Sequence, residues 1–170
     1  GPGLHASLET ASATARVGER GAEVWIATQS PGHARRAVAR ALDLAERDVV
    51  IYTVPAGGSF DRRLEHEHAV QAAQIARAAG KPVQLTWTRW QEALAGLPRA
   101  PAAALMSARI GPGGALTGWK ARIAVPATTR EFGRRLFGGQ TPREAMLDSA
   151  GESDRLALAG SIPPYAIPTV

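Results

Sequence analysis

The stretch of this sequence best suited to hold a ligand is Gly57-Gly58-Ser59-Phe60-Asp61-Arg62-Arg63. Consecutive glycines let a backbone approach a ligand closely and take positive φ. Amide groups exposed there, and at the start of the helix expected next, can hold an anion. Arg62 and Arg63 would add charge-assisted bonds to a phosphate. The run is neither a P-loop nor a dinucleotide fingerprint, because it has no Gly-Lys-Ser/Thr and no Gly-x-Gly-x-x-Gly. By itself it reads equally well as a tight turn. Gln29 is the second candidate, at the end of a Trp-bearing strand and just before a helix start. Its carboxamide could donate to an oxo or carbonyl oxygen, although in isolation a polar loop residue is the plainer reading.

Other polar residues offer less. His66 and His68 flank Glu67, but histidines two apart point to different faces of a helix, and a helical metal pair needs i, i+4 spacing. They read as a solvated helix start, and His5 and His33 as isolated structural or exposed residues. No Ser–His–Asp order can be argued, and Glu65 and Glu67 do not stand out as an acid–base pair. Trp25, Trp87, Trp90 and Trp119 read as core or interface residues rather than as a base-stacking platform. The chain has no cysteine, which excludes disulfides, a thiolate nucleophile and cysteine-held zinc or iron–sulfur clusters within it.

The elements that must carry these residues are legible in outline. Residues 11–28 read as two strands around a Gly18–Gly21 turn. Ser30-Pro31 opens a helix over about 33–46, with Ser30 as N-cap and Pro31 at the first helical position. Ala34, Ala37, Val38, Ala41, Leu42 and Ala45 share its apolar face, and Arg35, Arg36 and Arg40 lie off it. Residues 48–54 are a β-branched run, predicted to be a buried strand. A second helix is predicted over 65–79, packing Ala69, Ala72, Ala73, Ile75 and Ala76, with Gly80 just past its end. A strand at 82–88, a short helix at 89–94 and a hairpin of 102–110 with 116–125 follow. Residues 128–160 are helical or irregular, and Pro163-Pro164 makes 161–170 an irregular tail. The fold class is α+β, a mixed β-sheet with packed helices.

Length and composition suit one domain over residues 1–170, with 1–3 resembling a tag remnant: the chain is 170 residues long and 45% hydrophobic. Twenty Lys and Arg against 15 Asp and Glu give a net charge of +5, which favours anionic partners. The arginines are scattered, with no polybasic run and no interleaved aromatics, so nucleic acid is not expected. No apolar run approaches the ~20 residues of a membrane span, and the compartment, bacterial cytoplasm or periplasm, stays open.

Taken in order, several segments together resemble the large subunit of the xanthine dehydrogenase and aldehyde oxidase family, the molybdenum hydroxylases. They are His5-Ala6-Ser7-Leu8-Glu9, Ala13-Thr14-Ala15, residues 24–31 (VWIATQSP), Gly57–Arg63, residues 80–89 (GKPVQLTWTR) and Leu97-Pro98-Arg99. Within that family the pattern is similar to the isoquinoline 1-oxidoreductase β-subunit branch. The likeness covers most of the chain and is weakest between residues 128 and 160.

The resemblance implies the first molybdopterin-binding domain of a larger subunit. Such a subunit carries molybdenum on a pterin dithiolene, in bacteria commonly as a cytosine dinucleotide. It hydroxylates aldehydes or N-heteroaromatic carbons with oxygen from water. Electrons leave through an iron–sulfur partner subunit. The resemblance makes Gln29 the glutamine that hydrogen-bonds an oxo ligand of the metal. It places Gly57, Gly58, Ser59 and Phe60 in the loop against the metal and dithiolene, and Arg99 in the cofactor or substrate pocket, while Arg62 is a cofactor-binding candidate from its charge alone. Two departures stand out. The family loop is usually Gly-Gly-Gly-Phe-Gly, and here Ser59 and Asp61 replace its third and last glycines. The late catalytic glutamate has no counterpart, so no catalytic residue and no direct metal ligand is expected in this chain, which would not be active alone and could leave the cofactor site empty. The alternative is a non-catalytic module that keeps the fold and binds a partner subunit or an anionic ligand.

Overall fold

The computed structural model describes residues 3–60 and 62–168. The chain divides into two compact units, Leu4–Pro98 and a second that runs from Arg99 onward and includes Gly3.

The Leu4–Pro98 unit is built on a four-stranded mixed sheet in the order β3-β2-β1-β4. Strands β1 (Ser12–Gly18) and β2 (Gly21–Ile26) form the expected hairpin, with Gly18 opposite Gly21. Gly21 turns there at φ 137°, and a Cβ on it would sit 2.0 Å from the Asp48 carbonyl oxygen, so only glycine fits. Strand β3 (Val49–Thr53) runs parallel to β2, and β4 (Val83–Thr86) antiparallel to β1.

Two helices cover one face of this sheet. Helix α1 (Pro31–Leu42) has Pro31 in its first turn, and α2 (Glu67–Ala79) ends on left-handed Gly80. Ala13, Ala15, Val24 and Ile26 meet Val38, Leu42, Ala69, Ala72, Ala73 and Ala76 in a single apolar cluster. Its alanines let helix and sheet backbones come close, and this explains why so few aromatics are needed.

Four details depart from the sequence reading. Helix α1 stops at Leu42 rather than near residue 46, because Asp43 takes a left-handed conformation and its amide bonds back to Arg40. Strand β3 is not buried: it pairs on one side only, and Val50 and Tyr52 are exposed on the sheet face away from the helices. Ile75 is exposed as well, leaving the inner face of α2 to alanines and His68. Ser30 stands at the α1 N-cap without a side-chain bond, and Thr28 Oγ1 accepts the Ser30 amide instead.

The unit from Arg99 onward contains a separate two-stranded sheet, β5 (Ala103–Ile110) against β6 (Leu116–Ala124), with a register shift at Arg109/Ile110. Helices α4 (Thr128–Leu136) and α5 (Pro142–Asp148) follow, after α3 (Arg89–Ala95) has closed the first unit. Asp154 closes the N-terminus of α4 by accepting the amides of Thr129 and Arg130 at 2.8 and 3.1 Å. Burial opposes that charge, but the amides of Arg130, Ala157, Thr129 and Leu156 outweigh it and hold the carboxyl below its usual range. Thr141 and Glu144 form a capping box on α5. Among the described residues, no helix is long and apolar enough to cross a membrane.

Candidate functional site

Because β2 and β3 are parallel, the chain leaves both at the same end of the sheet. Residues 27–30, 54–60 and 62–64 therefore emerge side by side, as loops beyond parallel strand ends do in ligand-binding α/β sheets. They are tied together: the Val54 amide bonds to the Ile26 carbonyl at 3.2 Å and the Gln29 amide to the Arg63 carbonyl at 2.9 Å. Thr28 Oγ1 also donates to that carbonyl. Gln29 thus stands, solvent-exposed, on the rim of the glycine bend.

Inside the bend the backbone is specific. Gly58 has φ 92°, and a Cβ there would lie 2.7 Å from the Phe60 ring. Phe60 itself adopts φ 48° and remains 54% exposed, so the strained residue is held out at the surface rather than packed in the core. Ser59 is not among the positive-φ residues, so serine replaces glycine there without backbone strain. Asp61 lies outside the described residues. The amides of Gly58 and Ser59 have no acceptor among the described residues.

Residues 4–10 strap this bend in place. The His5 ring donates to the Phe60 carbonyl at 2.5 Å, the Leu8 amide to the Gly57 carbonyl at 3.1 Å, and the Gly57 amide to the Glu9 carboxylate at 3.0 Å. A Cβ on Gly57 would lie 2.8 Å from Glu9 Cγ, so a larger residue there would push the Glu9 side chain aside. One of the bend's amides is therefore already satisfied by a carboxylate of the chain itself.

Arg62 and Arg63 turn inward, with 4% and 2% exposure. Arg63 donates to the Glu9 carbonyl at 2.9 Å. Burial lowers its pKa, with Arg62 and Arg89 adding to the effect and Glu92 and Glu9 opposing it. The Arg62 guanidinium lies 5.9 Å from the Trp87 ring centre and against Gly96, where a Cβ would come within 3.3 Å of its Nε. Both guanidiniums thus sit beneath the bend rather than at its mouth. Arg99 bonds through its amide to the Gly3 carbonyl at 2.8 Å and belongs to the other compact unit.

His68 is not solvated but 1% exposed, its ring edge-on to Trp87 at 5.9 Å. Burial first, then Arg62, Arg63 and His66, push its pKa down to about 3, so it is neutral. His66 contacts His33 edge to face at 4.6 Å, and burial lowers its pKa against the pull of Glu67 and a backbone bond at Leu64. A signal was present: His68 stands four and eight residues before Ala72 and Ala76, on the buried stripe. Glu9 carried no such signal, because its partner Gly57 is 48 residues away.

The sequence profile of the molybdopterin cofactor-binding domain matches residues 3–130, which is most of the chain. The chain belongs to the molybdopterin cofactor-binding domain family. Over 68 residues, 40% of its length, it is 40% identical to isoquinoline 1-oxidoreductase subunit beta of Brevundimonas diminuta, and that stretch is 9% of the relative. Its fold is similar to quinoline 2-oxidoreductase from Pseudomonas putida 86, with TM-score 0.57, 23% identity, and 72% of this chain matched to 16% of that one. Aldehyde oxidoreductase from Desulfovibrio gigas gives TM-score 0.54 at 21% identity, with 74% of this chain and 14% of that one covered. The solved structures agree with the mixed sheet and packed helices, and the chain spans a small part of each relative's length.

The donor set of the bend suits the family's cofactor. Unclaimed amides at Gly58 and Ser59, an exposed aromatic at Phe60 and the carboxamide of Gln29 share one rim. Such backbone donors match an electron-rich, polyanionic group.

Proposed function

We propose that the chain is the first cofactor-binding domain of a molybdenum oxidoreductase large subunit, one that hydroxylates aldehydes or N-heteroaromatic compounds with oxygen from water. The carrying observation is the 2.9 Å bond from the Gln29 amide to the Arg63 carbonyl, which keeps the glutamine beside the glycine bend. Gln29, Gly57, Gly58, Ser59 and Phe60 would hold molybdopterin, in its cytosine dinucleotide form. The bound group supplies the two-electron oxidation. This chain's residues bind and orient it: Gln29 offers a carboxamide donor, Gly58 and Ser59 offer amides, and Phe60 shields one side from water. Arg62 and Arg63, being buried, support the bend from below. An iron–sulfur subunit and the rest of the large subunit are the proposed partners.

A second reading, a module that keeps the fold without the cofactor, draws support from the Glu9 carboxylate already seated on the Gly57 amide. Molybdenum and cytosine-nucleotide content of the full-length subunit, purified with its partner from a molybdate-fed host, separates the two. Stoichiometric metal that drops in Gln29→Ala and Gly58→Val supports the cofactor reading. Folded protein free of metal and pterin would overturn it.

A further inference from the structure

The glycine bend holds Gly58 at φ 92° and Phe60 at φ 48°. A non-glycine residue in that region is strained, and it persists only where its surroundings over-determine it. The bonds that do so lie at the two ends of the bend. At one end the His5 ring donates to the Phe60 carbonyl at 2.5 Å. At the other, both backbone groups of Gly57 are taken by neighbouring residues of the strap. Its carbonyl accepts the Leu8 amide at 3.1 Å, and its amide donates to the Glu9 carboxylate at 3.0 Å. Between these clamps the Gly58 and Ser59 amides have no acceptor among the described residues. The bend uses its first amide on itself and presents the next two.

Glu9 also reaches the other half of the rim. Its carbonyl accepts from Arg63 Nη2 at 2.9 Å, and Arg63 is 2% exposed. The Arg63 carbonyl in turn accepts the Gln29 amide at 2.9 Å and the Thr28 hydroxyl at 3.2 Å. One residue therefore bonds to the glycine bend through its side chain, and through its backbone to the arginine that holds Gln29. A carboxylate on a backbone amide makes a charge-assisted bond, stronger than a neutral one. A carboxylate acting as a plug would sit on the unclaimed amides, whereas this one sits on the amide before them.

We infer that Glu9 is a positioning residue, whose carboxylate pins Gly57 so that the Gly58 and Ser59 amides are presented to the molybdopterin group. Its purpose rests on the cofactor reading, but the pin itself can be tested without a cofactor.

Residue-resolved hydrogen exchange on the full chain compares the parent with three variants. Glu9→Gln keeps the reach and an acceptor oxygen without the charge, Glu9→Asp keeps the charge without the reach, and Glu9→Ala keeps neither. Glu9 is exposed, so all three are expected to fold. In Glu9→Ala and Glu9→Asp the Gly57 amide should exchange about tenfold faster, as for the loss of one charged hydrogen bond. In Glu9→Gln it should stay near the parent rate. The Gln29 amide should keep its parent rate throughout, because its bond to Arg63 does not use the carboxylate. In the full-length subunit, purified with its partner, molybdenum and pterin content should fall severalfold in Glu9→Ala and Glu9→Asp and recover in Glu9→Gln. The inference is overturned by parent-rate Gly57 exchange in Glu9→Ala, by Gln29 accelerating as much as Gly57, by Glu9→Gln behaving like Glu9→Ala, or by cofactor content unchanged or raised in Glu9→Ala. A parent subunit free of metal and pterin would instead sink the cofactor reading, and with it the purpose assigned to the pin.

Discussion

The two compact units solve the same problem, burying a sheet, to very different degrees. In Leu4–Pro98 the strands β1 and β2 alternate buried and half-exposed residues, and α1 and α2 cover the buried side. In the unit from Arg99 onward every residue of β5 is exposed, including Leu105, Met106 and Ile110. A lone two-stranded ribbon is marginal in water. The sequence signals for the two hairpins are equally clear, yet only one is attached to a core. Alternation and turn glycines thus specify a ribbon but do not say what will cover it.

That contrast can be broken by mutation. Ile26→Ala, in the sealed core, should lower stability by about 2–5 kcal/mol in urea unfolding. A loss below about 1 kcal/mol would mean the core is not as tightly formed as described. Acid sharpens the same distinction. Unfolded His68 takes a proton near pH 6.5, whereas the folded ring stays neutral down to about 3. Between those values the unfolded chain binds more protons, so stability falls as pH drops, by up to about 1.4 kcal/mol per pH unit, and His68 adds no slope above that window. His68→Phe should flatten this acid limb relative to the parent. Identical limbs in the two proteins would contradict a buried neutral imidazole.

Smaller effects are expected nearer the surface. Gly58→Ala places a methyl against the Phe60 ring at φ 92° and should destabilise the bend by about 1–3 kcal/mol. Hydrogen exchange at Ser59 and Phe60 would report it, and an unchanged exchange pattern would argue against the strained geometry. Leu105→Ala should change global stability by no more than about 0.5 kcal/mol, as at an exposed site without partners. A loss of several kcal/mol in urea unfolding would show that β5 is covered in solution.

How much could be read in advance follows the range of the interactions. Local signals placed the β1–β2 turn, Pro31 at the start of α1, Gly80 at the end of α2 and the β5–β6 ribbon. The burial of β3 was misjudged because Val49 to Val54 looks alike in a central and an edge strand, and only pairing decides. His66 and His68 were read as solvated because their polarity outweighed their place on an alanine stripe. Within the candidate site, the glycine bend and Gln29 stood out by residue type, and parallel pairing of β2 with β3 explains their nearness. The inward turn of Arg62 and Arg63 and the hold of Glu9 on Gly57 depend on residues far apart in sequence, which periodicity does not connect.

Residues 4–10 give the molecule a shared fastening. One short ribbon reaches the bend through His5, Leu8 and Glu9 and takes the Arg89 guanidinium on the carbonyls of Ser7 and Leu8. Trimming it would release two distant places in one cut, the backbone around Phe60 and the first turn of α3. A reporter group attached near Leu4 would accordingly sense disturbance at either end.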